Sequence, residues 1–251
     1  MLSVTVLVKN AEATLADTLR SLESFSEVIL LDTGSTDQTL AIAGEFPNVK
    51  IFHAPFQGFG PSHNLATSLA AYDFVLSLDS DEILSDELIK EIHNLSLDKD
   101  AVYRIRRDNY FQGKWIRGCS GWYPDRVLRL YNRKSTSFTN AAVHEKIVVG
   151  SLKIIDLTYP MKHTPYRSIS EFLAKMQMYT TLFAEQNVGK KSSSLTKALL
   201  HAFFTFVKSY FFKRGIFCGF EGFFISLYNA HTAFYKYIKL LEANQKSGFF
   251  H

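Results

Sequence analysis

Apolar positions in the first third of the chain come as short, mostly apolar runs separated by amphipathic stretches. Leu2–Val8, Glu27–Leu31, Val49–His53 and Phe74–Leu78 are such runs. They are too short for helices and read as buried strands. Between them Leu15, Leu19 and Leu22 recur at helical spacing, Thr36 stands where it can cap a helix carrying Leu40, Ile42 and Ala43, and Ser62–Ala71 reads as helix. Strands alternating with helices predict an α/β fold with a mostly parallel sheet and right-handed crossovers. After a helix near Ser85–Leu95, capped by Ser85 or Asp86, the pattern changes. Ala101–Tyr110 and Arg126–Tyr131 alternate basic and apolar side chains, and Glu145–Val149 is a further short run. Half-exposed strands extending the sheet are expected there. From Ser168 the period is helical, marked by Phe172, Met176, Tyr179 and Phe183 and then by Leu195, Leu199, Phe203, Phe206 and Tyr210. The expected organisation is a sheet domain over 1–165 and a helical region over 166–251.

Composition changes this picture mainly at the C-terminal end. A chain of 251 residues can hold one large domain or a domain with an appendage. The net charge of +4 is mild but uneven, because after Glu185 only Glu221 and Glu242 are acidic while Lys190, Lys191, Lys197, Lys208, Lys213, Arg214, Lys236, Lys239 and Lys246 are basic. A basic, phenylalanine-rich tail points to an anionic surface as partner. Its apolar stretches are broken by Lys208 and by Glu221. An interfacial helix pair therefore fits better than a membrane span, with a buried helical subdomain or subunit interface as the alternative. Cys119 and Cys218 are the only cysteines, which fits a reducing compartment. Leu2–Val8 has no signal-peptide pattern. The expected location is cytoplasmic, at the inner face of the cytoplasmic membrane. The sequence does not specify an oligomeric state.

Candidate chemistry collects where the strands end. Asp79 and Asp81 follow the Phe74–Leu78 run two residues apart, and continued extended backbone points both the same way. Mutually repelling carboxylates at a strand end suit a hard cation such as Mg²⁺ or Mn²⁺, which uses one or two carboxylates plus substrate phosphates. The plainer alternative is an acidic turn ahead of the next helix. Lys9 and Asp32 end two other strands at the same edge, where open α/β sheets bind ligands. Trp115, Trp122 and Tyr123 surround Gly118 and Gly121 and suit either sugar stacking or packing. The chain has neither the G-x-S-x-G pattern nor a P-loop, which argues against serine hydrolases and P-loop ATPases.

Together Val6-Leu7-Val8-Lys9-Asn10, Leu31-Asp32-Thr33-Gly34-Ser35-Thr36-Asp37-Gln38-Thr39, Phe59-Gly60-Pro61-Ser62-His63-Asn64 and Leu78-Asp79-Ser80-Asp81-Glu82 resemble the family 2 glycosyltransferases of GT-A fold. The subgroup most resembled adds glucose to the lipopolysaccharide inner core and includes the WaaE-like beta-glucosyltransferases. Arg129-Leu130-Tyr131-Asn132 and Val143-His144-Glu145 are also similar to it. The resemblance implies an inverting transfer of a sugar, glucose first, from a nucleotide sugar such as UDP-glucose to a glycan or glycolipid acceptor. It places Lys9, Asp32, His63 and Asp79 against the donor, with Asp32 on uracil or ribose. Asp79 and Asp81 would hold Mg²⁺ or Mn²⁺, Asp81 stabilising the leaving diphosphate through it, and Glu145 would be the base. The chain departs from many relatives at His63, where they carry Arg or Lys.

Asp125 is the rival base to Glu145, although its arginine neighbours favour an ion pair there. Asp32 is expected one sheet position from the metal carboxylates, and His144 is placed to orient Glu145 or the acceptor. A nucleotidyltransferase using the same carboxylates is an alternative, disfavoured because Val8-Lys9-Asn10-Ala11 is not a glycine- and lysine-rich loop. A nucleic-acid-binding tail is a second alternative, disfavoured because its aromatics follow helical spacing and no recognition motif is present.

Overall fold

A computed structural model describes residues 1–141 and 145–248 and divides the chain into two compact units. The first comprises 1–107 and 126–163, the second 108–125 and 164–251. The expected strands form in the first unit as β1 (Leu2–Val8), β2 (Val28–Asp32), β3 (Val49–His53) and β4 (Phe74–Asp79). They interleave with helices α1 (Leu15–Arg20), α2 (Thr39–Ala43) and α3 (Phe59–Ser68). β5 (Glu82–Leu84), α4 (Asp86–Asn94), β6 (Ala101–Phe111), β7 (Lys114–Trp115), β8 (Asp125–Asn132) and β9 (Lys153–His163) follow. Sheet order is β3-β2-β1-β4-β8-β6-β9-β5, with β7 paired to the end of β6. The β3-β2-β1-β4 half is parallel, and the β4–β8 and β5–β9 pairs are antiparallel.

The parallel half forms because its three central strands, β2, β1 and β4, are mostly apolar and buried on both faces. Val4, Val6, Val28, Leu30, Leu76 and Leu78 have no exposed surface, and Leu15, Leu19 and Leu22 of the α1 region pack into the same core. Each such side chain contributes roughly 1.5–3 kcal/mol on burial. Ser85 caps α4 as expected, its hydroxyl accepting from Leu88 N–H at 3.2 Å. Thr36 does not cap α2. Its N–H and hydroxyl both donate to the Asn10 side chain, at 2.8 and 3.4 Å, and Asp37 accepts from Thr39 N–H at 3.0 Å instead. The strand expected over 145–149 is a loop with one bridge, Phe138 to Ile147. β9 was not anticipated, because proline, lysines and outward side chains interrupt its apolar pattern.

The second unit is helical, with α5 (Ile169–Asn187), α6 (Leu195–Val207) and α7 (Gly219–Lys246); α5 and α6 pack on α7. A five-residue π turn, Lys208–Phe212, continues α6, and a 3₁₀ turn, Gly215–Cys218, leads into α7. Its core gathers Phe111, Ile116, Cys119, Trp122, Phe172 and Ile225. Trp122 stacks on Phe172 with ring centres 6.0 Å apart and is buried, so it packs rather than meeting a sugar. Among the described residues no helix is long and apolar enough to cross a membrane.

Candidate active site

The parallel register brings the acidic strand ends to one edge of the first unit. Val8 of β1 pairs with Asp32 of β2, and Leu7 of β1 pairs with Asp79 of β4. β1 therefore lies between the two aspartates, which stand two sheet positions apart rather than the expected one. Strand spacing makes that about 10 Å. The chain runs from β1 outward through β2 to β3 and then returns to β4 on the other side of β1, a switch in strand order of the kind where open α/β sheets form their ligand crevice.

Asp32 is buried and anchors its own exit loop. Ser35 N–H donates to Oδ1 at 3.0 Å, and Gly34 N–H and His53 Nδ1 lie 3.2 and 3.3 Å from Oδ2. Burial opposes its ionisation, but the Ser35, Gly34 and His53 contacts outweigh that and hold the carboxyl below its usual range. Gly34, at φ +103°, adopts the left-handed geometry this turn requires. Asp32, Thr33, Gly34, His53, Ala54 and Pro55 line a pocket of 340 Å³. The loops after β1 and β2 are stitched together, with Asn10 N–H on Ser35 Oγ at 2.9 Å and Ala11 N–H on Thr39 Oγ1 at 2.7 Å. Lys9 is exposed beside this seam.

A buried charge cluster underlies the Asp79–Asp81 turn. Arg129 of β8 donates from one guanidinium nitrogen to both Asp79 Oδ2 and Glu82 Oε1, and Arg107 Nη1 lies 3.1 Å from Glu82 Oε1. Glu82 has no exposed surface, and its other oxygen accepts from Asp79 N–H at 3.0 Å, closing the turn. Burial raises the Glu82 carboxyl above its usual range despite Arg129. Asp79 moves the other way: burial opposes its charge, but Arg129, His63, Arg107 and His163 together hold its carboxyl far below that range. Asp81 faces His163 at the end of β9, with Nε2 3.6 Å from Oδ1.

His63 lies in the interior, 1% exposed, its Nδ1 3.1 Å from Ser77 Oγ and its ring stacked on Phe138. Burial lowers its pKa to about 4, partly opposed by Asp79 and reinforced by Arg129, so the imidazole is neutral near pH 7. The motif around it holds the segment that leads to Glu145. Asn64 donates to the Phe138 carbonyl at 3.0 Å and accepts from Phe138 N–H at 2.9 Å, and Gly60 N–H donates to the Ala141 carbonyl at 3.1 Å. A Cβ on Gly60 would lie 1.9 Å from the Thr139 carbonyl oxygen, so only glycine permits this approach. Glu145 is half-buried at the end of a short ladder in which Thr139 N–H donates to the Lys146 carbonyl at 2.9 Å. His144, expected to orient it, lies outside the described residues. Asp125 belongs to the second unit, where Asn109 Nδ2 donates to it at 3.0 Å; the neighbouring Arg126 pairs with Asp156 at 3.0 Å.

No group of three His, Cys, Asp or Glu side chains suited to hold a metal occurs among the described residues. Asp81 and His163 nonetheless fit an ion delivered with a diphosphate, since Mg²⁺ in such sites takes few protein ligands and several phosphate or water oxygens. Asp79 suits direct coordination less, because Arg129 occupies one of its oxygens.

Sequence reasoning missed His53, Glu82, Arg107, Arg129 and His163. Two of them had a readable signal. Arg129 belongs to a singled-out motif and is a candidate ion-pair partner of Glu145 in the sequence, whereas the structure pairs it with Asp79 and Glu82; Glu82 adjoins the aspartate pair. His53 and His163 come into place only through register, opposite Asp32 and Glu82 respectively.

An α/β sheet with an acidic crevice at the carboxyl ends of its parallel strands, beside an open pocket at Asp32, is the arrangement in which nucleotide-binding α/β proteins hold their ligands. Residues 3–151 match the family described as Glycosyl transferase family 2. Over 98% of its length the chain is 30% identical to a glycosyltransferase of Rickettsia typhi, covering 88% of that protein. Over 96% it is 27% identical to the lipopolysaccharide core biosynthesis glycosyltransferase LpsC of Rhizobium meliloti, covering 92% of it. It is also similar to the S. aureus TarS 1-349 structure in complex with UDP-GlcNAc, at 17% identity and a TM-score of 0.47, covering all of this chain and 93% of that one. The chain belongs to glycosyl transferase family 2.

Proposed function

We propose that this glycosyltransferase moves a sugar, glucose in our reading, from a uridine diphosphate sugar to a hydroxyl of a lipopolysaccharide core or other cell-surface glycan, with inversion. The observation that carries the reading is the juxtaposition of Asp81 and His163, 3.6 Å apart, beside an Asp79 whose charge Arg129 balances. That arrangement offers one cation position and keeps excess negative charge away from an incoming diphosphate. Membership of the family and the likeness to LpsC support sugar transfer and a lipopolysaccharide acceptor.

In this reading Asp32 accepts hydrogen bonds from the uracil or ribose in its pocket. Lys9, at the rim, faces donor phosphate. Asp79 orients the donor, and His63, neutral and buried, supports that edge from behind. Asp81 and His163 hold Mg²⁺ or Mn²⁺, which when bound stabilises the departing diphosphate as a Lewis acid. Glu145 removes the acceptor hydroxyl proton as that oxygen attacks the anomeric carbon from the face opposite the diphosphate. The sugar–phosphate bond breaks, the new glycosidic bond forms, and the proton resides on Glu145. The acceptor is lipid-linked and presented at the inner face of the cytoplasmic membrane.

A donor screen tests this. Several nucleotide sugars are incubated with the protein and Mg²⁺ or Mn²⁺, and released nucleoside diphosphate is measured. Preferential release of UDP from UDP-glucose is expected, and no release from any nucleotide sugar would refute the reading.

A further inference from the structure

The stretch from α6 into α7 holds an apolar surface that the helical unit leaves uncovered. Only Ala198 of α6 is buried; Leu199, Leu200, Phe203 and Phe204 are exposed. The π and 3₁₀ turns that follow expose Phe212 and Phe217 to 78% and 83%, with Lys213 and Arg214 between them. Isolated exposed apolar side chains need no explanation, but a contiguous set of large ones marks an interaction surface.

This turn is built to hold that shape. Lys213 N–H donates to the Lys208 carbonyl at 2.8 Å, and the Lys213 carbonyl accepts from Cys119 N–H at 2.8 Å. Arg214 takes a left-handed conformation, φ 59°, and its carbonyl accepts from Phe217 N–H at 3.1 Å. Behind the turn Gly215 is buried, and a Cβ on Gly222 would lie 2.0 Å from the Gly215 carbonyl oxygen. Buried Ser209 ties the base, its hydroxyl receiving Ser226 Oγ at 2.9 Å and Ser120 N–H at 3.1 Å. The phenylalanines are thus presented on a clamped backbone, so little ordering entropy is lost when they are covered.

We infer that Phe203–Phe217 is a membrane-docking wedge for an anionic lipid surface, its phenylalanines entering the acyl boundary and its lysines and arginine meeting lipid phosphates. Charge selects this occupant. From residue 186 to residue 220 the chain carries Lys190, Lys191, Lys197, Lys208, Lys213 and Arg214 and no acidic residue. A second copy packed face to face would oppose like charges, whereas an anionic bilayer complements them. Length selects the mode. The 13 residues of α6 and the five-residue π turn that continues it together span at most about 27 Å at 1.5 Å per residue, short of the roughly 30 Å hydrocarbon core and interrupted by Lys208, so the segment lies in the interface. The inference rests on the proposed lipid-linked acceptor only for its biological purpose, because binding is read without substrate.

The test is flotation of the full chain with vesicles of phosphatidylcholine alone or mixed with phosphatidylglycerol. Two variants, Phe212→Ser/Phe217→Ser and Lys213→Glu/Arg214→Glu, change only exposed side chains, and their thermal melts check that the fold survives. The wild type is expected to float with the anionic vesicles and not with the neutral ones, and each variant to lose at least about tenfold in partitioning. UDP release from the donor in vesicle-free buffer is expected to be unchanged, which separates failure of docking from failure of the sugar-transfer reading. Equal flotation with neutral vesicles, or variants that float like the wild type, would overturn the inference. So would a concentration-dependent dimer that the Phe variant abolishes in a protein that does not float, since the occupant would then be a second copy.

Discussion

Replacing Arg129 by Met probes the charge cluster beneath the candidate site. Arg129 is 6% exposed and contacts both Asp79 and Glu82. Its loss leaves Glu82, which has no exposed surface, with Arg107 as the partner at 3.1 Å. Losing one of its two guanidinium partners leaves the Glu82 charge only partly compensated, at a cost approaching the roughly 3–5 kcal/mol of an unpaired buried charge. Most of this comes from Glu82, since 40% of the Asp79 side chain is exposed and its pair is screened by solvent. For a chain of this size the melting temperature should fall by about 6–20 °C. The loss should depend on pH. Asp79, with its pKa depressed, gives its full stabilisation above the ordinary carboxylate range, and that contribution is lost progressively as pH falls below that range toward the depressed folded value. Glu82, with its pKa raised, opposes folding once ionised, and without Arg129 its pKa rises further. The deficit of Arg129→Met should therefore be largest near neutral pH and shrink as pH falls toward about 4.5, and adding Glu82→Gln should recover part of it. Thermal and urea unfolding at several pH values measure this. A deficit below about 1 kcal/mol, or one equal at neutral and acid pH, would refute the argument.

Asp32→Ala should weaken UDP binding by about 10- to 100-fold in calorimetry, the loss of a charge-assisted hydrogen bond, and leave the fold intact. Glu145→Gln should bind donor normally but turn over about 10²–10⁴-fold more slowly, while Asp125→Asn stays active. A dead Asp125→Asn beside an active Glu145→Gln would move the base to Asp125. Gly60→Ala forces a Cβ against the Thr139 carbonyl and should cost about 1–3 kcal/mol of stability. It should lower kcat more than it raises the KM for donor, because it displaces the loop leading to Glu145 rather than the Asp32 pocket.

Local chemistry in the sequence announced much of this fold. β1, β2 and β4 are mostly apolar, which is the signature of strands buried on both faces, and β3 at the sheet edge is more exposed. Asp32, Asp79 and Asp81 were legible because polar groups at the ends of such strands share an edge. What could not be read was long-range. Nothing near Arg129 indicates that β8 pairs with β4, and nothing near His163 indicates that β9 returns to β5. The motif around His63 was read as donor-binding, yet its glycine and asparagine hold the 138–141 segment, a contact spanning 74 residues between Asn64 and Phe138. The apolar stripe of α6 was visible as a period, but its exposure depends on which neighbours cover it.

Metal-dependent release of UDP by wild type and by Asp81→Ala tests the central claim most directly. With UDP-glucose and Mn²⁺ the wild type should release UDP, chelator should stop it, and Asp81→Ala should be inactive while melting like the wild type. Wild-type turnover undiminished in chelator, or near-normal turnover by Asp81→Ala, would contradict the account.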